Sequence, residues 1–338
     1  MDVNEVPLLE VRDLKVHFVI KKRIGGVKGV VRAVDGVSLK IRKGDVIALV
    51  GESGCGKTTL GKAIAGLVKP TEGTILWKGR DVWKMYREDP KGFFEYKLRV
   101  QYMPQDPYSA FNPSKTVFEI LCTPLLKWKR VTSRAECIDY VLKILSDIKV
   151  TPPEEYIFRY PHQLSGGERQ RILFALITSV EPDVVVADEP ITAVDVALRV
   201  DLMNLMLEYW ERRRVAYVFI SHELASARYI TEKTGGKIGV MYLGKFVEFG
   251  PPRAVIENPL HPYTQALVDA APELDLEIAR KKRLRLREVD IPSATNPPKG
   301  CRFHTRCPYA MDICTEKEPP LIEVENGRYV RCWLYAKR

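Results

Sequence analysis

An α/β fold around a mostly parallel sheet is what this sequence predicts, and three observations predict it. Short unbroken apolar runs at Val46–Val50, 184–187 and Ala216–Ile220 have the length of strands buried on both faces. Helical segments stand between them, at 57–68 and, longer and apolar-faced, at 196–212. Finally, 46% apolar residues in a chain of 338, without internal repeats or low-complexity tracts, can close a sizeable core.

The elements follow in order. Residues 8–18 alternate polar and apolar side chains and read as an opening strand. The stretch 21–29 is basic and Gly-rich, a hairpin loop or mobile insertion. Residues 31–41 alternate again, ahead of the first buried strand. From 112 to 165, Pro113, Pro124, Pro152, Pro153 and Pro161 interrupt short helical segments, the pattern of an inserted helical lobe. Near residue 255 the chain changes to Pro-rich turns, a basic run at 280–287 and a Cys-rich tail. A domain boundary is expected there, separating 1–255 from 256–338.

Composition limits the function. The 53 Lys and Arg against 43 Asp and Glu leave +10, which invites an anionic partner: nucleotide, nucleic acid or acidic lipid headgroups. The longest uncharged apolar stretch near the middle, 172–180, is nine residues, where a spanning helix needs about 20. The N-terminus, Met1-Asp2-Val3-Asn4-Glu5, carries no apolar signal core. A cytoplasmic protein, free to lie against a membrane, is the expectation.

The chemistry begins at Gly51-Glu52-Ser53-Gly54-Cys55-Gly56-Lys57-Thr58, which fits GxxxxGK[ST] between a buried strand and a helix. Its glycines let backbone N–H groups wrap phosphates, and the helix N-terminus adds positive potential. Lys57 would reach the β- and γ-phosphates and Thr58 would ligate Mg²⁺, with Thr59 following in the helix. Cys55 reads as a small filler. At the end of the second buried strand stand Asp188 and Glu189, where ligands meet an open α/β sheet. Asp188 can hold Mg²⁺ through its water shell, and Glu189 can polarise an attacking water. Two adjacent carboxylates in an apolar strand are costly unless a cation offsets them.

Further motifs carry a resemblance. Leu164-Ser165-Gly166-Gly167-Glu168-Arg169-Gln170-Arg171 and Gln105-Asp106-Pro107, with the two phosphate elements in this order, resemble an ABC-transporter ATP-binding subunit. The resemblance implies a P-loop NTPase (RecA-like) core with an antiparallel β subdomain and an inserted helical subdomain. It puts Phe18 where the family stacks an aromatic on adenine, and Gln105 at the loop sensing Mg²⁺ and the membrane subunits. It puts Ala193-Val194-Asp195 at the dimer interface and His222 at the γ-phosphate. It also implies a head-to-tail dimer, since Ser165, Gly166 and Gly167 would meet the nucleotide held by the other subunit. Asn258-Pro259-Leu260-His261-Pro262-Tyr263-Thr264-Gln265-Ala266-Leu267 narrows the likeness to oligopeptide/dipeptide importer ATPases. Segments 51–61, 105–113 and 241–245 look most like the OppF/DppF-like second subunit. Three departures stand out: Glu168 where Gln is commoner, a long 230–236 segment after His222, and the variable insertion at 21–32.

Four of the seven cysteines fall in the last 38 residues, as Cys301-x5-Cys307-x6-Cys314-x17-Cys332. Four thiolates suit an iron–sulfur cluster or tetrahedral zinc, and the absence of CxxC pairs favours the cluster. Importer ATPases with this tail resemble [4Fe–4S] binders, the cluster pinning a small Cys-rich C-terminal domain apart from the nucleotide site. Cys122 and Cys137 read as buried apolar residues.

The sequence therefore points to an ATP-hydrolysing subunit powering peptide import. It would sit on the cytoplasmic membrane face with a second, D-type ATP-binding subunit, two permease subunits and an extracytoplasmic substrate-binding protein. Oligosaccharides are the alternative cargo. A soluble ABC ATPase acting on nucleic acid or ribosomes would explain +10, but one nucleotide-binding unit, no coiled-coil insertion and a transporter-type tail argue against it. A regulatory module with weak ATPase activity is the third reading.

Overall fold

The computed structural model describes residues 6–21, 27–192, 194–270 and 286–336, with the side chains of 27, 28 and 196 left aside. Two strands, β1 (Leu9–Lys21) and β2 (Val27–Ile41), form a long hairpin paired as far as Lys21 and Val27. Most of the 21–32 insertion thus joins the hairpin, and residues 22–26 lie outside the described residues. A buried strand, β3 (Val46–Val50), leads into α1 (Lys57–Ile64). The strands β4 (Glu72–Trp77) and β5 (Arg80–Asp81) complete a four-stranded antiparallel sheet in the order β2-β1-β4-β5.

Two helices, α2 (Val82–Glu88) and α3 (Pro90–Arg99), precede β6 (Val100–Met103). The Pro-punctuated lobe then holds α4 (Val117–Lys127), α5 (Arg134–Asp147) and α6 (Pro153–Tyr156). A Thr116–Glu119 capping box opens α4 and Ser133 caps α5, so each helix begins where a side chain satisfies its first N–H groups. Cys122 and Cys137 are disulfide-bonded. The sequence reads them as buried apolar residues; α4 and α5 face each other across the lobe and bring them together.

Beyond the lobe come α7 (Gly166–Thr178), β7 (Val184–Asp188), α8 (Val196–Arg213), β8 (Ala216–Ile220) and α9 (Leu224–Thr234). The pair β9 (Lys237–Tyr242) and β10 (Lys245–Gly250) follows, then α10 (Pro252–Glu257) and α11 (Pro262–Asp269). Last are α12 (Asp312–Glu316), β11 (Ile322–Glu325) and β12 (Arg328–Val330).

Among the described residues the main sheet has eight strands in the order β11-β12-β10-β9-β3-β8-β7-β6, parallel from β9 to β6. Every residue of β3, β7 and β8 is buried. Alternate side chains go to opposite faces, as a strand's period of two requires. Val46, Ala48, Val50, Val185, Tyr217 and Phe219 pack with the lobe and α7–α9, while Ile47, Leu49, Val186, Val218 and Ile220 pack with α1 and the β subdomain.

The C-terminal region is not the separate Cys-rich domain the sequence suggested. β12 pairs with β10 and extends the main sheet, and Phe303 and Cys307 belong to the main core with Tyr242 and Tyr263. The reason is physical. The segment has too little apolar surface to build its own core, and β10 offers an edge that needs a partner. Glu248 on β10, fully buried, accepts Arg328 Nη2 at 3.0 Å and the backbone N–H groups of Leu260 and His261 at 3.1 and 2.9 Å. His261 in turn caps α11 through Nδ1, which accepts from the Tyr263 N–H at 3.0 Å. Burial, with Arg331 adding to it, lowers its pKa to about 3, so the ring stays neutral. The Asn-Pro-Leu-His-Pro-Tyr-Thr stretch is thus a structural clamp between β10 and the tail.

Candidate functional site

Parallel strands end together, so β3, β7 and β8 deliver their C-terminal loops to one edge of the sheet. The turn after β3 carries the glycine-rich loop. Gly56 has φ +108°, and a Cβ there would overlap the carbonyl oxygen of Ala33 on β2, so only glycine fits. Gly51 is buried, whereas Ser53 and Gly54 are exposed. Lys57 is 5% exposed and donates Nζ to the carbonyls of Gly51 and Glu52 at 2.6 and 3.1 Å. Cys55 Sγ lies 3.6 Å from the same nitrogen, and burial pushes its thiol pKa up, which fits the filler role. Thr58 and Thr59 open α1. Phe18 on β1 is exposed and pairs with Val31, two residues before Ala33, so the hairpin runs beside the loop.

The end of β7 faces that loop. Asp188, 2% exposed, accepts Thr58 Oγ1 at 3.1 Å and Tyr102 Oη at 2.6 Å. Burial raises its pKa, against the pull of those two hydrogen bonds. Both hydroxyls can rotate to yield the carboxylate to a cation, so the donor set of Asp188 and Thr58 suits Mg²⁺, a hard ion taking oxygen ligands. Glu189 sits at φ +47°, an uncommon conformation for a side chain of its size. Its Oε2 receives Gln105 Nε2 at 3.0 Å, Thr192 Oγ1 at 3.2 Å and His222 Nδ1 at 3.2 Å. Gln105, Glu189 and His222, apart in sequence, therefore meet at one oxygen, and Asp188, the residue before Glu189, meets Thr58 of the loop.

Some partners in this arrangement went unread in the sequence. Tyr102 and Thr192 were not singled out, and neither was Arg199, which bonds Glu223 Oε1 at 2.7 Å and the Val194 carbonyl at 3.1 Å. Arg199 thereby ties the segment after Glu189 to the residue beside His222. Ala193 itself lies outside the described residues.

Ser165 caps α7 in a capping box with Glu168, accepting the Glu168 N–H at 3.3 Å while Glu168 Oε2 accepts the Ser165 N–H at 2.7 Å. Glu168 also accepts the Tyr156 hydroxyl, so the departure from Gln is structurally accommodated. Gly166 and Gly167 form the first turn of α7, and a Cβ on Gly167 would press on Leu198. Among the described residues no hydrogen bond joins Ser165 or Gly167 to residues 51–58.

The tail reaches the loop, although the sequence reading held the two apart. Arg306 makes a two-pronged pair with Glu52, Nη1 to Oε2 at 2.8 Å and Nη2 to Oε1 at 3.0 Å. The Glu52 N–H donates to Tyr263 Oη at 2.8 Å. A cavity of about 250 Å³ separates residues 52–55 from Ile291, Pro292 and Ala294.

The four tail cysteines converge without forming an ion cage. Cys301 donates its N–H to the Cys314 carbonyl at 2.8 Å, and Gly300 at φ +65° makes that approach possible, since a Cβ would strike the same carbonyl. Burial raises the Cys301 pKa to about 12 and the Cys332 pKa to about 11, and neighbouring cysteines add to both. Among the described residues, however, no group of three or more His, Cys, Asp or Glu side chains could hold a metal ion. That leaves both the expected [4Fe–4S] cluster and its zinc alternative without support from the arrangement of these side chains.

A model of the ABC transporter family matches residues 34–192, and one described as the oligopeptide/dipeptide transporter C-terminal region matches residues 247–314. The chain is 40% identical to the oligopeptide transport ATP-binding protein AppF of Bacillus subtilis, over 98% of this chain and 99% of that protein. It is 39% identical to the dipeptide transport ATP-binding protein DppF of Escherichia coli, over 97% and 94%. The oligopeptide transport ATP-binding protein OppF of Salmonella typhimurium gives 39%, over 93% and 92%. Among solved structures, cbiO1 of Clostridium perfringens superposes with a TM-score of 0.60 at 22% identity, over 75% of this chain and 92% of that one. The ATP-binding cassette MJ0796, solved as a dimer with ADP and Pi, gives 0.62 at 23% identity, over 72% and 99%. Those two likenesses establish the fold.

Proposed function

The chain belongs to the ATP-binding subunits of the oligopeptide/dipeptide class of ABC transporters, and we propose that it hydrolyses ATP to drive peptide import through membrane permease subunits. It is an ATPase of the ABC type. The observation that carries the reading of its chemistry is the meeting of Gln105, Thr192 and His222 on one oxygen of Glu189, beside the Asp188–Thr58 pair.

In this reading residues 1–255 form the nucleotide-binding unit, with the helical subdomain at about 112–165, and 256–338 are its extension. The backbone of Gly51, Ser53, Gly54, Cys55 and Gly56 cradles the phosphates, Lys57 and Thr59 assist, and Phe18 stacks on the adenine. Thr58, Gln105 and Asp188 would hold Mg²⁺, which when bound would screen phosphate charge. Glu189 takes the proton of the attacking water, and His222 steadies the γ-phosphate. Ser165, Gly166 and Gly167 serve the nucleotide of a partner ATP-binding subunit, a D-type paralogue. The α7 N-terminus is an anion site that takes no ligand from its own loop. No helix of the described residues is long and apolar enough to cross a membrane, and peripheral attachment at the cytoplasmic face through permease subunits fits that. Peptide-loaded substrate-binding protein should stimulate ATP hydrolysis in proteoliposomes carrying the permease pair, the paralogue and this chain. Stimulation by an oligosaccharide-loaded receptor alone, or full hydrolysis by a monomer at every concentration, would count against the reading.

The reading also retains a [4Fe–4S] cluster on Cys301, Cys307, Cys314 and Cys332. Its support is that Cys307, Cys314 and Cys332 are buried and Cys301 half-buried, with the Cys301 N–H on the Cys314 carbonyl at 2.8 Å. When bound, the cluster would be held by these four thiolates and would cross-link the segments that carry them. Anaerobically purified chain should contain about four irons and four labile sulfides. Four free thiols and no iron would reject the cluster.

A further inference from the structure

We infer that Arg306 and Tyr263, both C-terminal to the nucleotide-binding unit, are positioning residues for phosphate binding that act through Glu52. The inference rests on the reading of residues 51–58 as the phosphate loop.

Glu52 is the second residue of that loop, so its carboxylate stands at a site built for anions. Left unpaired, it would repel phosphate and compete for Lys57. Both of its polar ends are instead turned toward the C-terminal region. Arg306 takes the two carboxylate oxygens at 2.8 and 3.0 Å, and Tyr263 takes the N–H at 2.8 Å. Only the Glu52 carbonyl faces inward, where it accepts Lys57 Nζ at 3.1 Å.

Arg306 is built to hold this pose. Its side chain is 5% exposed, and its guanidinium lies 5.8 and 5.6 Å from the ring centres of Tyr242 and Phe303. A planar fork that pairs bidentately in a poorly solvated setting neutralises a carboxylate far better than a surface lysine does. Tyr263 packs against the same two rings, at 4.6 and 5.5 Å, which fixes its hydroxyl under the Glu52 N–H. The tail thus removes a negative charge from the phosphate site.

If the role is electrostatic, deleting the Glu52 charge must cancel the loss of Arg306. The test is Mg·ATP affinity of the full-length chain by titration calorimetry. Arg306→Ala is expected to weaken binding about tenfold, the equivalent of about 1.4 kcal/mol. The double variant Arg306→Ala/Glu52→Gln should return to within about threefold of wild type, and Arg306→Lys should fall between. Should Arg306→Ala fail to fold, Tyr263→Phe keeps the packed ring, loses only the hydroxyl, and should weaken ATP binding by roughly threefold. A double variant as weak as Arg306→Ala overturns the inference, because a purely structural role would not be rescued by charge removal. Wild-type affinity in both Arg306→Ala and Tyr263→Phe overturns it too. Lys57→Ala is the separate control: undiminished affinity there would overturn the phosphate-loop reading itself.

Discussion

Glu189→Gln is expected to stop ATP turnover while leaving ATP bound. Three donors converge on Oε2, Gln105 Nε2 at 3.0 Å and Thr192 Oγ1 and His222 Nδ1 at 3.2 Å each. A glutamine oxygen can accept the same three bonds, so the side chain keeps its place and the φ +47° backbone is undisturbed. What disappears is basicity, because an amide cannot take a proton from water near neutral pH. Among the described residues no hydrogen bond reaches Oε1, which leaves that oxygen to meet the water. Loss of a positioned general base costs about 10²- to 10⁴-fold in rate. Phosphate release by the assembled transporter should fall by that factor, with Mg·ATP affinity within about threefold of wild type. The ATP-loaded variant should also elute as a stable dimer with its paralogue. Turnover near wild type would remove Glu189 from the role of base.

How much of this was legible beforehand depended on the range of the interaction. Val46–Val50 and Ala216–Ile220 matched residue for residue, because a strand covered on both faces leaves an unbroken apolar run. β9 to β12 were not read as strands. Met241-Tyr242-Leu243-Gly244-Lys245 drew attention only as a family segment, and the short antiparallel tail strands have no apolar run of their own. The loop, Asp188, Glu189, Gln105 and His222 were found through motifs, and they do come together. Tyr102 on Asp188 and Arg199 on Glu223 belong to no motif and become visible only once the sheet brings their loops together. Arg306 and Glu52 lie 254 residues apart, and no local periodicity carries that information. The disulfide between Cys122 and Cys137 escaped for a related reason. A buried cysteine reads as a small hydrophobe until the helix facing it is known.

Charge placement explains why the tail cannot be treated as an appendage. Arg302, also from the tail, pairs with Asp35 on β2 and donates to the Leu243 carbonyl. Lys245 lies 2.8 Å from Glu318 and 3.8 Å from Asp35. The Gly244 N–H donates to the Cys55 carbonyl at 2.8 Å. The turn between β9 and β10 is therefore held by the tail on one side and holds the phosphate loop on the other. Breaking a buried pair of this kind leaves an uncompensated charge and costs about 3–5 kcal/mol, so damage to the tail should reach the loop through Asp35 and Glu52 alike.

Lys57→Ala is expected to lose ATP binding without losing the fold. The ammonium is 5% exposed, and its hydrogen-bond partners among the described residues are two carbonyls and the Cys55 sulfur, with no carboxylate. Neutral acceptors compensate a buried cation only in part, and its desolvation costs several kcal/mol. The lysine is thus a burden on the empty protein that phosphate charge relieves. Removing it should weaken ATP binding about 100-fold, the loss of charge-assisted contacts worth about 2.7 kcal/mol. The thermal midpoint without nucleotide should stay within about 3 °C of wild type, since the lost hydrogen bonds and the relieved desolvation oppose each other. Adding Mg·ATP at about 100 times the wild-type Kd should stabilise wild type by about 2.7 kcal/mol and the variant by only about 0.4 kcal/mol. Thermal unfolding with and without Mg·ATP reads both numbers in one experiment. Equal nucleotide shifts in the two proteins would mean that Lys57 does not touch the phosphates, and a variant already unfolded without nucleotide would mean that its carbonyl contacts outweigh the cost of burying its charge.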